Sequence, residues 1–161
     1  MRHAWDVYSK RSKKYLSHLF VAILVLNSFP ATAISKPRTK CNIRVDDPHF
    51  SKSIENKFGF RAVKVNARSK CNFAMSNLQL TVEIYKKGFF RNHFVTSETL
   101  IKRGPIPAEV PMRNNETWER CKNSRPTGYF GVAYATALIA GNRVNTRRVS
   151  TEKVVTLPCG T

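Results

Sequence analysis

The chain has 161 residues, with 28 Lys and Arg against 10 Asp and Glu, a formal net charge of +18, four cysteines and four histidines. That length suits one domain with a core of its own. So large a positive excess exceeds what solubility requires and directs attention to anionic partners, while the scarcity of histidine and carboxylate argues against an acid–base enzyme.

Residues 1–33 follow the grammar of a cleavable signal peptide. Arg2, Lys10, Arg11, Lys13 and Lys14 make a basic lead, Leu19 to Phe29 an apolar run, and Ala31-Thr32-Ala33 a small-residue cleavage site. A membrane anchor is the rival reading, but a spanning helix needs about 20 apolar residues and this run stops well short of that at Pro30. Five of the 28 basic and one of the 10 acidic residues lie in this segment, which leaves a net charge of about +14 on residues 34–161. The product is expected to be secreted and extracellular.

All four cysteines, Cys41, Cys71, Cys121 and Cys159, fall after the signal, and an even count in an exported chain reads as two disulfides. Three pairings are open. Cys41 with Cys71 and Cys121 with Cys159 is favoured, because each pair then brackets one half of the domain. A zinc site made by the four thiolates is the alternative, although the close C-x-x-C spacing of structural zinc is missing. No cofactor is expected.

In chain order, residues 34–40 read as a flexible basic arm, and residues 41–161 as the domain. Cys41, Ile43 and Val45 alternate with Asn42 and Arg44 as a first strand, ended by Asp46-Asp47-Pro48. His49 to Gly59 lacks a period and is expected to be a loop. A second strand is expected from Phe60 to about Arg68, followed by a polar turn to Cys71. Leu78, Leu80, Val82 and Ile84 alternate with Gln79, Thr81, Glu83 and Tyr85 in the clearest strand of the chain. Lys86-Lys87-Gly88 then predicts a hairpin, with Gly88 supplying a positive φ. Pro105, Pro107 and Pro111 mark residues 102–128 as connection, with at most an edge strand near Val110. Tyr129 to Ile139 is apolar on both faces and predicts a central strand. A turn at Gly141-Asn142 leads to a last strand, Arg148 to Leu157, stopped by Pro158. Six or seven short strands with two disulfides point to an all-β fold, an antiparallel immunoglobulin-like sandwich.

Cys41 with Asp47-Pro48-His49 after it, Val65-Asn66-Ala67 before Cys71, the Leu80 to Tyr85 strand with Lys87-Gly88, then Cys121, Thr127-Gly128-Tyr129-x-Gly131 and the terminal Cys159 together resemble small secreted proteins of actinobacteria, mostly uncharacterised. The resemblance covers about residues 41–161. It implies a two-disulfide β domain and no particular activity.

The candidate binding element is Lys86, Lys87, Phe89, Phe90 and Arg91, followed by His93 and Phe94. Rings beside cations at a hairpin tip can enter a membrane interface or stack on bases and sugars while the charges hold phosphates. The competing reading turns Phe89 or Phe90 inward as core. Arg143, Arg147 and Arg148 form a second basic group. Asp46-Asp47-Pro48-His49 is the one cluster able to start a metal site or proton relay, and a strand-ending turn explains it more simply. Trp118 and Tyr129 are expected to pack on the Cys121 disulfide. These residues suggest a secreted, non-enzymatic domain that binds an anionic polymer, membrane surface or nucleic acid. An antimicrobial or effector protein acting on membranes, and a structural or adhesive interaction subunit, are the other classes compatible with the chain.

Overall fold

The computed structural model describes residues 40–161; the expected signal peptide and residues 34–39 of the arm lie outside them. In chain order the elements are β1 (Cys41–Val45), β2 (His49–Phe50), α1 (Lys52–Phe58), β3 (Ala62–Lys64), β4 (Ala67–Cys71), β5 (Met75–Lys86), β6 (His93–Ile106), β7 (Met112–Asn114), β8 (Trp118–Arg120), β9 (Asn123–Ile139), β10 (Asn142–Asn145), β11 (Val149–Ser150) and β12 (Val155–Gly160). The largest sheet runs β10-β9-β5-β6, with β11 and β12 also pairing on β9. Two three-stranded sheets, β1-β4-β7 and β2-β3-β8, complete the set, and every pairing is antiparallel.

Strand β5 behaves as its alternation requires: Leu78, Leu80, Val82 and Ile84 are all buried on its inner face. On β9 the inner face is built from small residues, Gly131, Ala133, Ala135 and Ala137, between Tyr129 and Ile139. The facing layer comes close here. A Cβ on Gly131 would lie 2.5 Å from Cγ1 of Val65 and 3.1 Å from Cγ1 of Val45, so the glycine sets the depth at which β1 and the β3–β4 segment dock.

The core divides into two apolar clusters, and each carries one disulfide. Cys121–Cys159 sits with Val63, Val65, Val82, Ile84 and Tyr129, whereas Cys41–Cys71 sits with Met75, Leu78, Leu80 and Ile106. The favoured pairing is the one present. Cys41 and Cys71 are direct cross-strand partners of β1 and β4, and all four thiols are consumed, so none remains for zinc. Asn114, fully buried on β7, stitches the layers: its side-chain amide donates to the carbonyls of Leu80 and Glu98, both at 2.9 Å.

Several expectations are corrected. Residues 49–59 are not a loop but β2 and α1, a helix capped by the Ser51 hydroxyl, which accepts from the Ile54 amide, and closed by Gly59 in the left-handed conformation. Only Ile54 of its seven residues is buried, so no helical period shows in the sequence. The strand expected from Phe60 to Arg68 breaks at Val65-Asn66 into β3 and β4, which serve different sheets, and β4 continues through Cys71. Residues 102–128 hold far more strand than expected. β6 runs through Pro105 because it is the sheet's edge and needs no donor on its outer side, while β7 and β8 are three-residue strands and β9 begins at Asn123. Val110 lies in none of them. The tight turn is Ala140-Gly141, both at positive φ, one residue earlier than expected. The last strand is split into β11 and β12, and β12 passes through Pro158 to Gly160 with a bulge between them.

Candidate functional site

The hairpin between β5 and β6 is held at its root by the register Lys86↔His93, and residues 87–92 form the tip. Two bonds tie that root to the rest of the domain. The Lys86 ammonium donates to the Thr161 main-chain oxygen at 2.8 Å, and the Lys87 amide donates to the Gly128 carbonyl at 2.8 Å. Lys86 is therefore partly engaged in structure, whereas Lys87 and Arg91 are exposed cations.

Gly88 does not adopt a positive φ, contrary to expectation. Its lack of a side chain matters for another reason: a Cβ would stand 1.9 Å from the Arg91 carbonyl oxygen, so the loop folds back on itself too tightly for any other residue. That fold-back presents Phe89 and Phe90 outward. Each is 95% exposed, and their rings meet edge to face at 4.8 Å, which leaves a two-ring apolar knob in solvent between Lys87 and Arg91. Neither ring turns into the core.

Beside the knob lies an open groove of about 740 Å³ lined by Lys87, His93, Phe94, Arg125 and Thr127 among others, with no carboxylate side chain in its wall. Arg125, at the start of β9, adds a cation that the sequence did not connect with the hairpin. Phe94 packs edge to face on Tyr85 at 5.7 Å, and Tyr85 stacks on Phe130 at 5.3 Å, so the groove leads onto an aromatic strip along the outer face of the large sheet.

The second basic group does not act as a unit. Arg148 is committed to Glu83, whose carboxylate also accepts from the hydroxyls of Tyr85 at 2.9 Å and Tyr134 at 3.2 Å. Its guanidinium also lies 4.7 Å from the centre of the Tyr134 ring. Burial raises the Tyr85 pKa, and the neighbouring Glu83 raises it further. For Arg148, burial opposes the charge, yet the Glu83 carboxylate outweighs it and holds the guanidinium above its ordinary value. Arg143 and Arg147 remain exposed.

Asp46-Asp47-Pro48-His49 links β1 to β2: the Asp46 amide donates to the Asn66 carbonyl at 2.9 Å, His49 Nδ1 lies 2.9 Å from the Asp47 carbonyl oxygen, and the Asp47 carboxylate pairs with Lys153 at 3.3 Å. Among the described residues no three His, Cys, Asp or Glu side chains converge as a metal site. Tyr129 packs beside Cys121–Cys159 as expected, donating its hydroxyl to the Cys159 carbonyl at 2.5 Å. The rings around Trp118 are instead Phe58, stacked at 6.3 Å, and Phe60, tilted at 6.1 Å, a cluster that pins α1 to β8.

The two disulfides fit an oxidising compartment, and among the described residues no helix is long and apolar enough to cross a membrane. Comparison with protein-family models and with curated proteins finds no match for the chain.

Proposed function

We propose that this chain is a secreted, non-enzymatic binding domain of immunoglobulin-like sandwich architecture that attaches to an anionic surface through the Lys86–Arg91 hairpin. One observation carries the reading: two phenyl rings, Phe89 and Phe90, are held in solvent by a glycine-enforced loop between cations. Leaving two large apolar side chains in water is unfavourable by roughly 1.5–3 kcal/mol apiece, an arrangement that an apolar phase beside negative charge relieves. An anionic lipid interface matches both needs, since rings enter the acyl boundary while Lys87, Arg91 and Arg125 meet the headgroups.

Sedimentation with vesicles tests this. The protein should bind phosphatidylglycerol-containing vesicles and not pure phosphatidylcholine, with affinity falling steeply as salt rises. Phe89→Ser with Phe90→Ser should weaken binding by on the order of tenfold per ring, and Lys87→Glu with Arg91→Glu should abolish it. Vesicle binding unchanged in both variants would remove the hairpin as the contact. Leakage of vesicle contents on binding would favour a membrane-damaging effector over an attachment domain.

A further inference from the structure

On β1, β4 and β7, three arginines fall into register. Arg44 stands directly opposite Arg68, and Arg68 directly opposite Arg113. Residues opposite each other in an antiparallel sheet point to the same side, so the three guanidinium groups form one row across the sheet, spread over roughly 10 Å. All three are exposed, and their strands turn Ile43, Val45, Ala67, Ser69 and Asn114 to the interior.

Like charges placed directly opposite destabilise a sheet, and here the pairing occurs twice in succession. No carboxylate among the described residues pairs with any of the three. Among the described residues none of the three has an ion pair, a hydrogen bond through its side chain or an aromatic ring beneath it. The carboxylates nearby are Glu109, held by Lys70 at 2.5 Å, and Asp46, which borders a small pocket with Arg68 and Arg113. The row lines a groove of about 400 Å³ with Asn42, Pro111 and the Lys70–Glu109 ion pair, so four cations face one carboxylate in its wall.

We infer that this face is a second binding site, for a linear polymer that carries tetrahedral oxyanions along its backbone. Arginine forks engage phosphate or sulfate oxygens two at a time, and a row of three matches a repeating anion better than a single one. The groove wall has no aromatic side chain, so it offers neither a platform for nucleobases nor an apolar anchor for a bilayer. That composition separates it from the hairpin, and its test does not depend on the hairpin's role.

The full disulfide-bonded protein is titrated with long-chain polyphosphate and with dextran sulfate, and with oligo-dT as the base-bearing comparison, in wild type, R44Q/R68Q/R113Q, R44K/R68K/R113K and the hairpin variant K87Q/R91Q. The glutamine triple should lose at least about tenfold in affinity for the preferred polymer, and its log–log salt slope should drop by about two, as expected for three lost contacts to a flexible anion chain. The lysine triple should keep the slope but bind several-fold more weakly, and K87Q/R91Q should stay within about twofold of wild type. Preference for polyphosphate marks a phosphate backbone and preference for dextran sulfate a sulfated glycan; either supports the site. The polymer should also raise the melting temperature of wild type and not of the glutamine triple. Affinity unchanged in the glutamine triple, or binding lost only in K87Q/R91Q, would overturn the proposal, as would oligo-dT outcompeting both polymers.

Discussion

The Glu83 carboxylate on β5 and the Arg148 guanidinium, 65 residues apart in sequence, form a hydrogen-bonded ion pair on the outer face of the large sheet. Glu83 is almost covered, with its side chain 11% exposed, while Arg148 keeps half its surface in water. Replacing the acid by its amide keeps one acceptor oxygen but removes the charge that holds Arg148 and sets an NH2 donor against one of the other donors, Tyr85, Tyr134 or Arg148. Glu83→Gln should destabilise the fold by about 2 kcal/mol, read as a lower denaturation midpoint at constant m. Arg148→Met, which leaves two tyrosine donors in place, should be milder.

Tyr85 gives the same cluster an alkaline limit. Burial, reinforced by Glu83, raises its pKa above the ordinary 10.0, so the folded state binds the phenolic proton more tightly than the unfolded chain does. The stabilisation is complete below pH 10 and disappears as pH climbs through the folded value. Thermal melts from pH 8 to 12 should show that loss, and Tyr85→Phe, which preserves the stack on Phe130, should flatten part of it.

Asn114 is the polar rivet between layers. Asn114→Ala deletes two donated bonds and strands the carbonyls of Leu80 and Glu98, and should be destabilising by about 2–3 kcal/mol. Asn114→Asp should be no better, since a carboxylate cannot donate to either carbonyl. Chemical denaturation of both variants checks this.

Gly88→Ala must push the Arg91 carbonyl away, and Gly131→Ala must displace Val65 and Val45. The two should differ in kind. Gly131→Ala should lower stability by about 1–3 kcal/mol through overpacking, with little effect on the tip. Gly88→Ala should reshape the knob, reducing vesicle binding more than it reduces the melting temperature.

The disulfides close separations of 30 and 38 residues, for which chain entropy gives stabilisation of about 3.5–4 kcal/mol each. Cys41→Ala with Cys71→Ala should leave a foldable but weakened protein, whereas loss of both bridges should leave it unfolded at 37 °C. Melts with and without reductant, alongside non-reducing peptide mapping, decide the matter.

How much of this was legible follows from where each signal resides. β5 declares itself because four aliphatics alternate without interruption, and the hairpin because its cations and rings are contiguous. α1 is silent, since two turns that bury Ile54 alone create no period. β7 and β8 are too short for alternation to register, and Pro105 suggests a break only until β6 is known to be an edge. Arg44 and Arg68 look like ordinary solvent-facing residues of separate strands and Arg113 like part of a connection; only the register makes them neighbours. Arg125 meets the hairpin through the pairing of β9 with β5, which no local pattern encodes.

Strand β9 receives β5, β10, β11 and β12, from both sequence directions. Without β9, β5 keeps β6 as its one sheet partner, and both apolar clusters lack residues that β9 contributes, Tyr129 and Ala133 to one and Ala135, Ala137 and Ile139 to the other. Closure of the core therefore waits on pairings distant in sequence, the kind of topology that folds more slowly than one built from local contacts.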